Sequence, residues 1–242
     1  MEQHIKDSGG YEAVVVEDGV RNLAVDPATR AVIRTDDVYQ TEVEKGVAGY
    51  PQRAVDIAAG YSNAGRIEDA SAIGMAGRSK RGENSCQIFM KVDDASGRIT
   101  RATFRARGSL GTIASASVAA TLCEGLTLPE ALAQVTDARI HEELGGELPR
   151  GGAMGPLIAA EAVRAAVGDY HYRAGADLAR LDELCPCDSF SRGCLMCIKC
   201  SLRETRAELL VARAKAAKAT NAAEATPGAA PAPKAEAAAA RA

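Results

Sequence analysis

The sequence lacks the features that mark several functional classes. Its 242 residues include no tryptophan, 3 phenylalanines and 6 tyrosines. Basic residues (29) do not outnumber acidic ones (32), so the net charge is -3 and the basic surface of a dedicated nucleic-acid-binding protein is not expected. No uninterrupted apolar run is long enough to cross a bilayer. With 3 scattered histidines, no nucleophile, base and orienting group can be assembled, and we do not expect an enzyme.

A secretory signal is also absent from the first residues. The stretch "MEQHIKDSGGYEAVVVEDG" has no basic segment followed by an apolar one, so we expect a cytoplasmic protein. Disulfides are uncommon in that reducing compartment, where clustered cysteines more often bind a metal.

Five of the seven cysteines are concentrated in one short stretch. Residues 184–200, "LCPCDSFSRGCLMCIKC", have the pattern C-x-C, six residues, then C-x-x-C-x-x-C. The pattern is formed by Cys185, Cys187, Cys194, Cys197 and Cys200. Such short spacings let several thiolates converge on one metal centre. The other two cysteines, Cys86 and Cys123, fall in apolar patterns and are expected to be buried as small hydrophobic residues.

The C-x-x-C-x-x-C part has the spacing of three ligands of a four-iron cluster in bacterial ferredoxins, whose fourth ligand comes from elsewhere in the sequence. Cys185 or Cys187 could supply that fourth ligand, which leaves one of the five cysteines over. A four-iron cluster is therefore favoured. Zinc held by four thiolates stays an alternative, although zinc sites usually separate two C-x-x-C pairs by a dozen or more residues. Redox-active thiols without a metal are a further alternative.

The first half of the chain shows strand patterns. Residues 11–35 alternate β-branched runs with turn signals, which indicates a small sheet, and residues 51–82 indicate helix pieces and loop. "CQIFMKV" and "ITRATFRAR" alternate apolar and polar residues around the turn "DDASG", which predicts a β-hairpin. The polar side of the second strand would be solvated or would dock an acidic partner through Arg101, Arg105 and Arg107.

Helix signals follow the hairpin. Thr127 and Glu130 have the spacing of a capping box, and Ser201 and Glu204 repeat it at the start of a helix predicted to run to about residue 218. Between them, "PLIAAEAVRAAVGDY" predicts an amphipathic helix that packs on the sheet through one apolar stripe. The stripe consists of Leu157, Ala160, Val163, Ala166 and Val167.

About residues 58 to 172 resemble the NifU/IscU family of iron-sulfur cluster scaffold proteins. The resemblance is carried in order by "YSNAGRIEDASAIG", "KVDDASGRITRATFRARGSLGTIASAS", "GLTLPEALAQVTDARIHEELGG" and "AEAVRAAVGDY". It implies the family's α+β fold, in which a small three-stranded antiparallel sheet is covered by helices.

The resemblance fails at the positions that hold the cluster in that family. Three cysteines and an aspartate do so there, in segments that read roughly C-G-D, G-C-G-S-A-I-A-S and H-C-S. Here Arg81 stands for the first cysteine and Glu83 for the aspartate. Ser109 stands for the second cysteine and Gly155 for the third. All three family thiolates are missing, and iron in such clusters is held by soft thiolates that neither a hydroxyl nor a glycine can replace.

The longer NifU proteins suggest another interpretation of the cysteine segment. Their central domain binds a two-iron cluster through C-x-C and C-x-x-C. This chain has both pairs in that order, with a far shorter stretch between them, so the four-iron interpretation stays favoured.

These patterns predict four regions in the chain. They are an N-terminal β-rich extension (1–50), a NifU/IscU-like domain (51–172), a Cys-rich metal-binding segment with a helix (173–218) and a tail (219–242). The tail is rich in Ala and Pro and has no large apolar residue to bury, so we expect it to be disordered.

The predicted function is that of an iron-sulfur cluster binding protein related to assembly scaffolds, which acts in cluster assembly or transfer or in maturation of a client protein. The expected partners are a client apo-protein, cysteine desulfurase-like machinery or a larger oxidoreductase. Two alternatives stay open. One is an electron-transfer or structural subunit of a larger oxidoreductase complex, and the other is a zinc-stapled adaptor.

Overall fold

The computed structural model describes residues 3–6, 12–15, 36–40, 49–77, 84–186 and 200–224. The strands within them are β1 (Gln3–Lys6), β2 (Glu12–Val15), β3 (Val38–Gln40), β4 (Ala72–Gly77), β5 (Ser85–Val92) and β6 (Ile99–Gly108). The helices are α1 (Gln52–Gly60), α2 (Leu110–Cys123), α3 (Leu128–Gln134), α4 (Asp137–Glu143), α5 (Gly155–Arg173), α6 (Leu178–Leu184) and α7 (Ser201–Glu224). Helices α2 and α5 pack on the sheet, which confirms the predicted α+β class.

The main sheet has four strands in the order β3-β6-β5-β4. Strands β4, β5 and β6 pair antiparallel, as the family resemblance implies, and β5 with β6 forms the predicted hairpin. Strand β3, from the N-terminal extension, adds a parallel fourth strand beside β6. Strands β1 and β2 form a separate antiparallel pair, and residues 16–35 of the predicted N-terminal sheet lie outside the described residues.

Strand β4 corrects the expectation of helix pieces and loop across residues 51–82. Helix α1 and an irregular stretch account for part of that range, but "AIGMAG" pairs with β5 along its whole length. Alanine and glycine have little preference for strands, so the local pattern did not indicate one. The strand exists because β5 pairs with it and α5 covers its face.

Helix α5 lies very close to β4 at Gly74. A Cβ atom at this position would overlap main-chain atoms of Ala162 and Ala166 in α5. A residue with any side chain would therefore push the helix away from the strand. This contact fixes the height of α5 above the sheet.

Helix α5 is buried on more than one side, which corrects the predicted single stripe. Val163, Ala166 and Val167 are buried as predicted. Leu157 and Ala160 are only partly buried. Other buried residues of the helix include Ile158, Ala159, Ala162 and Ala165. The reason is that α5 contacts the sheet on one side and α2, α6 and α7 on others.

Both predicted helix starts are confirmed, since α3 begins after Thr127 and α7 begins at Ser201. Thr127 caps α3 in a capping box, in which its N–H donates to the Glu130 carboxylate at 2.8 Å. Ser201 does begin α7, but its hydroxyl oxygen accepts a hydrogen bond from the Met75 N–H at 3.0 Å. The Ser201 side chain therefore satisfies a main-chain donor on the outer edge of β4.

The N-terminal extension engages two of the three arginines on the polar side of β6. The Arg105 Nε atom lies 2.9 Å from the Asp37 carboxylate. The Arg107 guanidinium lies over the ring of Tyr39, 4.9 Å from its centroid. Arg101 is exposed. The basic side of the hairpin is therefore partly neutralised within the chain.

Helix α7 is longer than predicted. It runs to Glu224 rather than ending near residue 218, and so takes in the first residues of the predicted disordered tail. Its high alanine content favours a helix. Residues 225–242 lie outside the described residues. No helix in the described part of the chain, α7 included, combines the length and apolar character needed to cross a membrane.

Replacing Gly74 with alanine tests the close packing of α5 on β4. We expect Gly74→Ala to lower the free energy of unfolding by about 1–3 kcal/mol, because the methyl group must displace helix main chain. In the matched control, Gly60→Ala, nothing lies within 4 Å of the added Cβ. That change should be neutral or stabilising by up to about 1 kcal/mol, since alanine favours helix. Urea denaturation measures both, and equal effects would contradict the packing argument.

Candidate functional site

Ser109, which the sequence resemblance predicts at the position of the family's second cysteine, acts as a helix cap. It is the N-cap residue of α2 and is buried. Its hydroxyl oxygen accepts a hydrogen bond from the Thr112 N–H at 3.2 Å, and its own N–H donates to the Asn84 side-chain oxygen at 3.1 Å. These bonds satisfy main-chain donors at the start of a buried helix. Serine at this position therefore has a structural role.

Gly155, which the sequence resemblance predicts at the position of the third cysteine, has no room for a side chain. It is the first residue of α5 and is buried. A Cβ atom there would lie 2.6 Å from the carbonyl oxygen of Gly111 and 2.8 Å from the hydroxyl oxygen of Ser115. The starts of α5 and α2 therefore meet in direct main-chain contact. The space that a cysteine would need is filled.

Arg81 and Glu83, at the positions of the family's first cysteine and its aspartate, lie outside the described residues with the rest of 78–83. That stretch joins β4 to Asn84, the residue that bonds Ser109. The described part of the family site thus consists of one serine and one glycine, which do not fit an iron-sulfur cluster because neither is a soft donor. Among the described residues, no three His, Cys, Asp or Glu side chains are grouped so that they could hold a metal ion.

The structure brings together the first and last of the five clustered cysteines. Cys185 caps the end of α6, Cys200 directly precedes α7, and both are buried. They belong to one small apolar cluster that also contains Ala165, Leu181 and Leu202. Cys187, Cys194 and Cys197 lie outside the described residues. Helices α5, α6 and α7 thus hold the two ends of the cysteine segment in one place.

Two arginines bond the main chain where the cysteine segment begins. Arg206 of α7 donates to the carbonyl oxygen of Cys185 at 2.8 Å. Arg164 of α5 donates to the carbonyl oxygen of Pro186, also at 2.8 Å. The Cys185 thiol donates in turn to the carbonyl oxygen of Arg164 at 3.4 Å. The start of the segment is therefore tied to two helices.

The sequence patterns did not single out these two arginines. A signal for Arg206 exists, because it lies four residues after Leu202 and three before Leu209, on the apolar stripe of α7. An arginine on such a stripe indicates a buried polar partner. Arg164 gives no comparable signal, since its side chain is 31% exposed and pairs with Glu161 as an ordinary surface helix residue would.

Cys200 also lies beside the edge strand of the sheet, at the same end of the sheet as Ser109. It forms an antiparallel bridge with Ala76, the residue before the end of β4. Ser109 follows the end of β6, three strand spacings away from Cys200, which is roughly 14 Å at the usual strand spacing. The last cysteine of the segment is thus anchored at the end of the sheet where Ser109 lies.

The two remaining cysteines are buried in the core, as predicted. Cys86 lies in β5 and Cys123 ends α2. Burial raises the pKa of both thiols, that of Cys123 to about 12. Both therefore stay protonated at neutral pH.

Comparison with known proteins gives a consistent family match. Residues 49–177 match the sequence model described as NifU-like N terminal domain. Over 135 residues the chain is 34% identical to the iron-sulfur cluster assembly scaffold protein IscU 1 of Archaeoglobus fulgidus, covering 56% of this chain and 84% of that protein. Over 126 residues it is 32% identical to the bifunctional protein NifU/MnmA of Rubrobacter xylanophilus, covering 52% of this chain and 25% of that protein.

Among solved structures, the chain is similar to a putative iron-sulfur cluster assembly scaffold protein for the SUF system from Fervidobacterium islandicum. The identity is 18% and the TM-score 0.40, covering 50% of this chain and 98% of that chain. The family match ends at residue 177, one residue before α6 begins. All five clustered cysteines therefore lie beyond the matched residues.

Substituting cysteine for Gly155 or for Ser109 should lower the stability of the folded protein. We expect Gly155→Cys to lower the free energy of unfolding by about 1–3 kcal/mol, because its Cβ meets α2 main chain. Ser109→Cys should cost about 1 kcal/mol through loss of the helix cap. Urea denaturation measures both changes, with Ser62→Cys, at an exposed position, as control. A double variant as stable as the parent would contradict the view that this space is closed.

The two core thiols should resist alkylation in the folded protein. The thiolate is the reactive form, and burial raises both pKa values, so Cys86 and Cys123 should stay unmodified by iodoacetamide up to about pH 9. The same shifts mean that the folded state loses stability as the pH rises above the ordinary thiol pKa, because only the unfolded chain then ionises. Mass spectrometry of peptides, with and without urea, checks the alkylation. Equal labelling in both states would contradict it.

Proposed function

Because this chain belongs to the family of NifU-like N-terminal domains, we propose that it carries iron-sulfur clusters as cargo on its added cysteine segment rather than at the family's own site. The role is non-catalytic, and it consists of cluster assembly, transfer or maturation of a client protein. The relatives named as cluster assembly scaffolds support this role.

The residues predicted at the family's ligand positions offer no thiolate, which supports the cysteine segment as the cluster-binding site. Ser109 caps α2, and α2 main chain closes the space beside Gly155. Arg81 and Glu83 offer no thiolate either. A cluster needs soft, charged sulfur ligands, and the chain concentrates these between residues 185 and 200.

The observation that carries the proposal is the burial of Cys185 and Cys200 in one cluster. Both ends of the segment are anchored by main-chain bonds to regular elements, since Arg206 bonds Cys185 and Cys200 bridges Ala76. Both ends of the segment are therefore fixed, and cysteines at the short spacings of this sequence can supply several thiolates to one centre. Fixed ends also reduce the entropy that the chain loses when ligands are ordered around a metal.

Four of the five cysteines would hold the cargo. The triplet Cys194, Cys197 and Cys200 supplies three thiolates, and Cys185 or Cys187 supplies the fourth, which favours a four-iron cluster over a two-iron cluster. The fifth cysteine is left over for exchange, so that cargo can pass to the thiolates of a client apo-protein. The expected partners are such a client and cysteine desulfurase-like machinery, in the cytoplasm.

Metal analysis of protein purified without oxygen tests this proposal. We expect brown protein that contains iron and acid-labile sulfide, and a Cys194→Ser/Cys197→Ser variant that lacks both. That variant leaves the buried Cys200 intact, so loss of metal would not reflect loss of packing. Cys123→Ala is the matched control and should keep its iron, because Cys123 is a core residue.

The other outcomes separate the alternatives. Colourless protein that holds only zinc would establish a zinc-stapled adaptor and overturn the proposal. A cluster that cycles reversibly between oxidation states but stays in place when an apo-acceptor is added would indicate an electron-transfer subunit. Transfer of the cluster to the acceptor supports the cargo role.

A further inference from the structure

Helix α7 is exposed along most of its described length. Of its described side chains only Leu202 and Arg206, in the first two turns, are buried. Every side chain from residue 210 to residue 219 is exposed, and this stretch begins with two aliphatic residues, Leu210 and Val211. Scattered exposed aliphatic side chains are common and mark no interface by themselves. The positions of the charged residues on the helix must therefore decide whether this surface has a partner.

One face of α7 carries two glutamates, then a valine, then two lysines. The residues of this charged face are Glu204, Glu208, Val211, Lys215 and Lys218. At the usual number of residues per turn, their side chains lie within about 80° of each other around the helix axis. All five are exposed, and they lie on the side opposite the two buried residues of the first turns. The charged face therefore points away from the strand and helices on which α7 packs.

Neither the helix dipole nor pairing within the helix accounts for this order of charges. The dipole acts on the first and last turns, and α7 has Glu204 in its first turn but no basic residue in its last. Neighbours three or four residues apart stabilise a helix when their charges are opposite. Here Glu208 follows another glutamate at that spacing, and Lys218 follows another lysine. Within the described part of the chain, none of the four charged side chains is in an ion pair. The charged face therefore does not stabilise α7 on its own.

A second copy of α7, running antiparallel, matches these charges. When Val211 of one copy meets Val211 of the other, Glu204 lies level with Lys218 of the second copy, because both are equally far from the valine in sequence. Glu208 lies within one residue's rise, about 1.5 Å along the axis, of Lys215 of the second copy. Two-fold symmetry repeats both pairs of opposite charge. A parallel pair of helices would instead bring glutamate against glutamate and lysine against lysine, which is unfavourable.

The residues beside Val211 suit a close approach of two helices. Ala207 and Ala214 lie four residues before and three residues after it, which is the spacing of a seam between helices, and both are exposed. The distance between two packed helices depends on the side chains at the contact, and small ones let Val211 pack on its counterpart. Because the buried Leu202 and Arg206 lie on the other side of α7, the two folded domains would lie on the outer sides of the helix pair.

From this match we infer that α7 is a self-association surface, through which two copies of this chain pair antiparallel by their charged faces. The contact is short, about 21 Å from Glu204 to Lys218, so the association is reversible and depends on protein concentration. The inference goes beyond the proposed function and does not involve the cysteine segment. It holds whether or not that segment carries a cluster.

Sedimentation equilibrium of the full chain tests the inference, with a reducing agent present so that disulfide-linked dimers cannot form. We expect the parent protein to be in monomer–dimer equilibrium. Glu204→Lys/Glu208→Lys makes the charged face wholly basic, and Lys215→Glu/Lys218→Glu makes it wholly acidic. Each double variant alone should dimerise at least about tenfold more weakly than the parent, because like charges then face each other.

An equimolar mixture of the two double variants separates charge matching from any general loss of structure. Every facing pair in a mixed dimer has opposite charges, so we expect the mixture to associate again as a heterodimer. Arg213→Glu is the matched control, since it reverses an exposed charge on the opposite side of the same helix. It should change the dissociation constant by less than about twofold. Far-UV circular dichroism checks that each variant keeps its helix content.

Parent protein that stays monomeric up to about 0.3 mM would overturn the inference, and so would a mixture of the double variants that stays monomeric. Dimers of the parent that are as strong in about 1 M NaCl as in dilute buffer would also overturn it, because salt screens exposed ion pairs. None of these outcomes bears on the proposed function, which depends on iron and sulfide content. Protein that dimerises as expected but holds no iron would overturn the proposed function alone.

Discussion

The direct contact of α5 with β4 is the constraint on which the other features depend. At Gly74 the helix main chain lies against the strand, which fixes its height above the sheet. The start of α5 meets α2 through Gly155 and Gly111, and its middle supports α6 and α7 through Ala165. Near its end, Asp169 accepts a hydrogen bond from β4 main chain at 2.7 Å. One helix thus contacts the edge strand of the sheet, the start of α2 and the two ends of the cysteine segment.

On the proposed function, this arrangement lets the chain keep the fold of its family while the cluster is held on the added cysteine segment. Close packing at Gly155 suits a protein in which nothing has to bind between α2 and α5. At Ala165, α5 also packs against the helices that extend beyond the family match, together with the ends of the cysteine segment. On the proposed function, the family domain is the platform and the added helices α6 and α7 hold the site.

Several elements could be predicted from sequence because their causes are local. The β5–β6 hairpin follows from alternation around a short turn, and the α3 cap follows from the spacing of Thr127 and Glu130. Burial of Cys86 and Cys123 follows from their apolar surroundings. Strand β4 could not be predicted in the same way, because a run of small residues becomes a strand only when β5 pairs with it.

The features of the candidate site likewise fall into those set by the sequence and those set by tertiary contacts. The sequence by itself determined the number and spacing of the thiols, the loss of the family's cysteines and the family of the domain, because these depend on residue identity alone. Only the tertiary structure decided that Cys185 and Cys200 share one buried cluster, that Ser201 bonds β4 and that a buried Arg206 faces the segment. These contacts join residues far apart in the chain, and they arise where α6 and α7 pack on α5. The local sequence pattern of a helix does not predict which distant part of the chain the helix will pack against.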